Sequence, residues 1–408
     1  MNTLLKPINA HLKRVSKYKW KDIFEDPRRV TSNRKWDFSY MMEVVFLGML
    51  SGCKNLREVE SFSESLKERV PDTTIYDILK KLDAAPLRKL LVRGVKQALR
   101  SHELPKDEFP IRLTAIDGKS VSVTKYEVDP EWSWKCRRNG TDNYIHMALR
   151  AMHVSNQTKL LIGQHEIAGK SNEVAAFTDF FDTLVEDYGR TNLLDTVSVD
   201  AGMTSLANAS HVAKCGYHYI MALKNKNYKI TQSAHTLLSE RNTPDIEQRV
   251  KHSGKSITYR LYRCNAFSDA QGWQEHATEF WRIEKVTTPS SDKRKRIKEN
   301  RYFVTNLPKE TLTHSEVLQA VKMHWGIENN ANWVIDTAWN EDSSPWTNNA
   351  LKIVTWLRML AYNVVARLKN RRLKKSSHRQ KSWKTILSHI RDCIVQPCFW
   401  IHQQRATI

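Results

Sequence analysis

No run of about 18 uninterrupted apolar residues occurs in this 408-residue sequence, so no membrane-spanning helix is predicted. The opening stretch MNTLLKPINAHLKRVSKYKW lacks the apolar centre of a secretory signal, which predicts a protein that stays in the cytoplasm. Cysteine is sparse. Cys53, Cys136, Cys215, Cys264, Cys393 and Cys398 are scattered and form no C-x-x-C pair. Cys393 and Cys398 stand near His402, but no second ligand pair lies at finger spacing. Reduced thiols are expected, not a zinc site or a disulfide framework. Internal repeats and long low-complexity segments are also missing, which excludes solenoids and fibrous chains.

Acidic residues are in deficit. Lys and Arg number 65 against 44 Asp and Glu, a net charge of +21. Such an excess fits a polyanion, because each neutralised phosphate releases condensed counterions. The basic residues do not gather on one amphipathic helix, so nucleic acid is favoured over a membrane surface. Neither an RRM-like nor a KH-like signature is present, which turns the expectation towards DNA.

Residues 1–108 read as a basic arm and a small helical domain, with a break near Ser51-Gly52, a cap at Thr73 or Thr74, and Pro86 opening a helix. From Ile111 the apolar period changes to that of strands. IRLTAIDGKSVSVTKY, YIHMALRAMHV and KLLIGQHEIA predict three strands. A helix capped by Ser171, a strand in LLDTVSVDAG, a helix and a strand in YHYIMALK follow, to residue 224. Three meandering strands followed by right-handed alternation is the ribonuclease-H-like layout. Residues 225–300 break the alternation with strands of an inserted sheet and a basic loop. Residues 301–370 resume with a strand and long helices, the first opened by a capping box of Thr313 and Glu316. Residues 371–408 form a basic tail.

Two acids close apolar runs: Asp117 in LTAIDGKS and Asp200 in SVDAGM. A lone Asp-Gly is ordinarily a turn. Two such acids on neighbouring parallel strands would instead share a divalent cation, with Mg²⁺ the natural partner of hard oxygen ligands and Mn²⁺ a substitute. Glu328, inside a predicted helix beside Trp325 and Ile327, is the expected third ligand, and Asp336 competes for that position.

The ordered set AIDGK, GKSNEVAAF, SVDAG, YIMALKNKN, RYFVTNL, HWGIENNANWVIDTAWNED and LRMLAYNVVARL resembles DDE-class insertion-sequence transposases, the group that includes the H-repeat-associated proteins. The likeness runs from about residue 20 to 370. It implies an α/β fold with a ribonuclease-H-like (retroviral-integrase superfamily) core, a β-rich insertion, an N-terminal helical domain and C-terminal helices. It also implies that Asp117, Asp200 and Glu328 are the catalytic metal ligands. The wider class often carries Tyr, Arg and Lys at −7, −4 and +7 from that Glu; Val321, His324 and Ile335 stand there in this sequence.

The expected function is Mg²⁺-dependent cleavage of element ends and strand transfer into target DNA, by a dimer bound to duplex DNA in the nucleoid. A nuclease without strand transfer and a domesticated, non-catalytic DNA-binding protein are the alternatives. Candidate DNA contacts are Lys119 and Lys170 beside the acids, with Lys322 and His324 near Glu328. Trp132, Trp134, Lys135, Arg137 and Arg138 suit a loop that stacks on a base and grips the backbone. Two further charge runs are Lys293, Arg294, Lys295 and Arg296, and Arg371, Arg372, Lys374 and Lys375.

Overall fold

The computed structural model describes the chain except residues 1–3, 16–17, 31–33, 128, 139, 225–227, 266–271, 290–294 and 397–408. Its strands are β1 (Leu113–Thr124), β2 (Ser133–Arg138), β3 (Thr141–His153), β4 (Leu160–Glu166), β5 (Thr196–Val199) and β6 (His218–Leu223). β7 (Ile246–His252), β8 (Lys255–Cys264), β9 (Glu279–Pro289) and β10 (Ile297–Thr305) follow. The helices before β1 are α1 (Leu5–Val15), α2 (Trp20–Ile23), α3 (Phe38–Leu50), α4 (Leu56–Glu64), α5 (Asp72–Leu79) and α6 (Ala85–Arg100). Among the strands lie α7 (Glu173–Tyr188), α8 (Leu206–Lys214) and α9 (Lys229–Ser239). The chain closes with α10 (His314–His324), α11 (Trp333–Trp339), α12 (Asn348–Arg367), α13 (Ser376–Arg379) and α14 (Trp383–Ile394).

β3 lies antiparallel to β1 on one side, while β5 and then β6 run parallel to β1 on the other. β2 pairs with the first half of β3 and β4 with its second half. β10 joins antiparallel to β6 and carries β9, β8 and β7 beyond it, so the strands of 246–305 continue the central sheet. The result is a mixed α/β fold around one ten-stranded sheet among the described residues. No helix of the described residues is long and apolar enough to cross a membrane.

Local chemistry accounts for most element ends. Thr313 and Glu316 form the expected capping box on α10, and Pro86 stands in the first turn of α6. Gly52, at φ 82°, follows the end of α3 at the predicted break. Two expected caps differ. Asn172, not Ser171, caps α7 by accepting from the backbone N–H of Ala175, and α5 starts at Asp72 after Pro71 instead of at Thr73 or Thr74. β2 and β7 were not expected, because charged runs such as WKCRR carry little apolar alternation, and α9 was not expected either.

α7 can lie close on the sheet because Gly163 of β4 has no side chain. A Cβ there would stand 2.9 Å from Leu184 and 3.2 Å from Phe180. The buried rings of Phe177 and Phe180 contribute about 2–3 kcal/mol each to that contact. α12 covers β4 in another way. Asn363 accepts from the N–H of Leu161 and donates to its carbonyl, at 2.9 and 2.8 Å, pairing backbone groups that β3 does not reach. The N-terminal helices close over α12: His11 bonds the carbonyl of Val364, and Glu103 pairs with Arg367.

Candidate active site

The parallel pairing of β1 and β5 ends at Ile116 opposite Val199. Asp117 and Asp200 are the next residue on each strand, so two adjacent strands bring their carboxylates to one level. Asp117 does not sit at a strand end as expected. β1 outlasts β5 and runs on to Thr124 against β3, so the Asp-Gly pair is strand and not turn. Asp200 does build a turn: its Oδ1 accepts from the N–H groups of Gly202 and Met203 at 2.9 and 3.3 Å.

The helix expected over Glu328 is interrupted. α10 ends at His324, a π turn spans Glu328–Asn332, and α11 resumes at Trp333. Such wide turns recur at functional sites because they re-aim side chains out of the regular helical ladder. Ile327 takes the buried position, and Glu328 is exposed instead of half-buried. Asn332, one turn on and 1% exposed, donates from a single Nδ2 to Oδ2 of Asp117 and Oε2 of Glu328, at 3.3 Å each. One amide thus ties the third acid to the first.

A fourth carboxylate completes the group. Glu173 stands in the first turn of α7, where the positive end of the helix dipole favours an anion. Its side chain reaches the glycines that accompany the two aspartates: a Cβ on Gly118 would overlap Oε1 of Glu173 and stand 2.5 Å from its Cδ. Burial, and then Asp200, raise the Glu173 pKa, with partial relief from Lys224. Burial raises that of Asp117 to about 7, followed by repulsion from Asp200, Glu328 and Glu173. Sequence reasoning missed Glu173 and Asn332. The signals were an acid next to a helix cap in GKSNE, and an amide four residues after Glu328.

Basic groups stand nearby but are engaged elsewhere. Arg150 is the cross-strand partner of Asp117, yet its two terminal nitrogens bind Glu341 at 2.7 and 2.8 Å, both side chains fully buried. Lys119, 8% exposed, bonds Asp336 at 2.7 Å and Asp342 at 2.6 Å. The competing third acid, Asp336, is therefore occupied by Lys119, while burial still raises its pKa to about 6. No ion pair reaches Asp117, Asp200, Glu173 or Glu328 among the described residues.

Four oxygen-bearing acids without a cationic partner suit a hard divalent ion. Among the described residues only Asp182, His211 and Cys215 bring three potential ligand atoms mutually within 4.8 Å. No three of the four acids bring carboxylate oxygens mutually within that distance.

The other candidate contacts separate by burial. Trp132 belongs to the core: it is 2% exposed and its Nε1 donates to the carbonyl of Met147 at 2.7 Å. Trp134, in β2, is 52% exposed beside exposed Lys135 and Arg137, with Lys135 paired to Asp142 at 2.8 Å. His324 hydrogen-bonds Ser198 at 3.0 Å, and burial lowers its pKa to about 4, which leaves it neutral. Lys322 lies over the Tyr259 ring at 3.9 Å, and Val321 and Ile335 are core residues. Arg371 and Arg372 pair with Glu108 and Glu103. Lys170, Lys295, Arg296, Lys374 and Lys375 are exposed. Lys293, Arg294, Cys398, His402 and the Arg138 side chain lie outside the described residues.

The sequence profile of the Transposase DDE domain family matches residues 108–364, more than half of the chain, and the chain belongs to that family. Among individual proteins it is 22% identical over 356 residues to "Putative transposase YncI" of Escherichia coli O157:H7, across 80% of this chain and 82% of that one. It is 23% identical over 382 residues to "H repeat-associated putative transposase YhhI" of Escherichia coli K12, across 86% and 91% of the two chains. Among solved structures, a piggyBac transposase in a synaptic complex with hairpin DNA aligns with 99% of this chain and 79% of its own, at 10% identity and a TM-score of 0.47.

Proposed function

We propose that this protein is an insertion-sequence transposase that cuts DNA at the ends of its element and joins the freed 3′-hydroxyl to target DNA. Its strand order β4-β3-β1-β5-β6 supports a ribonuclease-H-like core, with 225–300 as the insertion. The observation that carries the reading is the meeting of Asp117, Asp200 and Glu328 at a place where Arg150 and Lys119 are both taken by other acids.

Asp117, Asp200 and Glu328 are the residues that would hold Mg²⁺, or Mn²⁺ in its place. When bound, the ion activates the attacking oxygen and neutralises charge on the phosphate and the leaving oxygen. The chain's own task is then alignment. Asn332 holds Glu328 to Asp117, and the Lys119 clamp fixes β1 against the 336–342 segment. Trp134, Arg137 and the exposed lysines grip DNA through its backbone, which gives affinity and salt sensitivity without reading bases. Two element ends have to be joined, so the active species is a dimer on duplex DNA, in the cytoplasm at the nucleoid.

The test is an assay with a labelled element end bearing a 3′-hydroxyl and a target plasmid, with Mg²⁺. Joined product is expected from the wild type and none from Asp117→Asn. Cleavage without joining supports a nuclease. Equal DNA processing by Asp117→Asn overturns the metal-dependent reading.

A further inference from the structure

Glu173 has no part in the three-acid scheme, yet the chain is built around its carboxylate. Gly118 follows Asp117 directly, and a Cβ at that position would overlap Oε1 of Glu173, so the carboxylate keeps its place only while that position is bare. Gly202 follows Asp200 by two residues. A Cβ there would stand 3.0 Å from Oε2 of Glu173 and 3.1 Å from Oδ1 of Asp200. Each aspartate is therefore accompanied by a bare backbone position, and Glu173 enters between the two. A surface glutamate at a helix start needs no such accommodation.

The acids also divide into two sets. Asn332 joins Glu328 to Asp117. Glu173 and Asp200 instead share the space beside Gly202. A carboxylate placed against another carboxylate, with no ion pair to either among the described residues, is unfavourable unless a cation or a shared proton lies between them, and a divalent cation relieves both charges at once.

We propose that Glu173 is a fourth metal ligand of this site and shares a divalent cation with Asp200, while Glu328 serves the side of Asp117 reached through Asn332. The proposal rests on the metal-dependent reading given above. It assigns to GKSNE a chemical role: the Asn172 cap starts α7 where its first-turn acid meets the ends of the two strands. It also gives Gly118 a reason beyond turn formation, since β1 does not turn there.

Mn²⁺ binding to the full chain, followed by calorimetry and by electron paramagnetic resonance of unbound Mn²⁺, tests this without any DNA reaction. Glu173→Gln is expected to weaken Mn²⁺ binding by about tenfold or more, since even indirect partners of metal ligands cost about 10–100-fold. Gly118→Ala, which displaces Glu173 without altering any acid, is expected to weaken it in the same direction. If the two acids share an ion, Asp200→Asn combined with Glu173→Gln loses less than the two single losses together. Wild-type Mn²⁺ binding that Glu173→Gln leaves unchanged overturns the fourth ligand and leaves the three-acid site standing. No Mn²⁺ binding by the wild type overturns both. A lowered melting temperature with unchanged Mn²⁺ affinity assigns Glu173 to the helix start alone and overturns the proposal.

Discussion

Arg150 stands directly across the β1–β3 ladder from Asp117, yet both ends of its guanidinium are bound to Glu341. Directly opposed residues of an antiparallel pair share a face of the sheet, so this arginine is the natural counter-ion for Asp117. Glu341 removes it from that role. Asn340, at φ 54°, ends α11 in the left-handed conformation and turns Glu341 and Asp342 back over the sheet. Asp342 and Asp336 take Lys119 in the same way. The 336–342 segment thus keeps the neighbouring cations from the acid cluster.

The arrangement predicts a large cost for removing Glu341. Arg150 and Arg358 would then be buried without a counter-charge, and Arg358 already has its pKa lowered to about 10 by burial. Glu341→Ala should destabilise the protein by about 3–5 kcal/mol. Urea denaturation of the metal-free protein measures it, and a loss below about 1 kcal/mol would mean that the pair is not buried as described.

Glu328 and Asp336 should separate by what they lose. Glu328→Gln is expected to weaken Mn²⁺ binding and to abolish DNA joining, with little change in melting temperature, because the side chain is exposed. Asp336→Asn should retain metal binding and lose about 1–3 kcal/mol of stability, because Lys119 is left half-paired while buried. The reverse pattern would make Asp336 the ligand.

Acid should unfold the protein partly through its buried histidines. His153 is fully buried, bonds Asn156 at 2.7 Å, and has its pKa lowered to about 4 by burial. The unfolded chain takes up a proton near the ordinary value of 6.5 that the folded chain refuses until about 4. Stability therefore falls as pH drops through that window, by about 3 kcal/mol for this residue when the loss is complete. His11 shows the same lowering. His153→Gln should flatten the fall in urea midpoint between these pH values, and an unchanged slope would contradict the assignment.

The two tryptophans of EWSWK should behave oppositely. Trp132→Ala removes a buried ring and should cost about 3–5 kcal/mol. Trp134→Ala should leave the melting temperature nearly unchanged and weaken binding to single-stranded or frayed DNA by about 1–3 kcal/mol, as stacking contacts do. A filter-binding titration at fixed salt measures the second effect. Unchanged affinity would remove Trp134 from the DNA-binding surface.

How much of this was legible beforehand follows the physics of each element. The central strands announced themselves because uncharged apolar and small hydroxyl residues fill LTAI and TVSV, and the acid that follows each stretch singled out Asp117 and Asp200. Glu328 was found by its neighbours, although the π turn that aims it was not: a π turn keeps the residues of a helix and changes only its hydrogen-bond span. Trp132 and Trp134 looked alike as sequence, but Trp132 lies in the turn before β2 and is buried, while Trp134 lies in β2 and is exposed. Glu173 read as an ordinary first-turn acid. Only the third dimension shows that two glycines far from it in the chain leave room for its carboxylate.

The central claim is that Asp117, Asp200 and Glu328 jointly hold divalent cations. Anomalous diffraction from crystals soaked in Mn²⁺ tests it most directly. The account predicts Mn²⁺ peaks touching these three carboxylates in the wild type, and none in Asp117→Asn crystals of the same form. Mn²⁺ bound only elsewhere, or an unaltered peak in the variant, would contradict it.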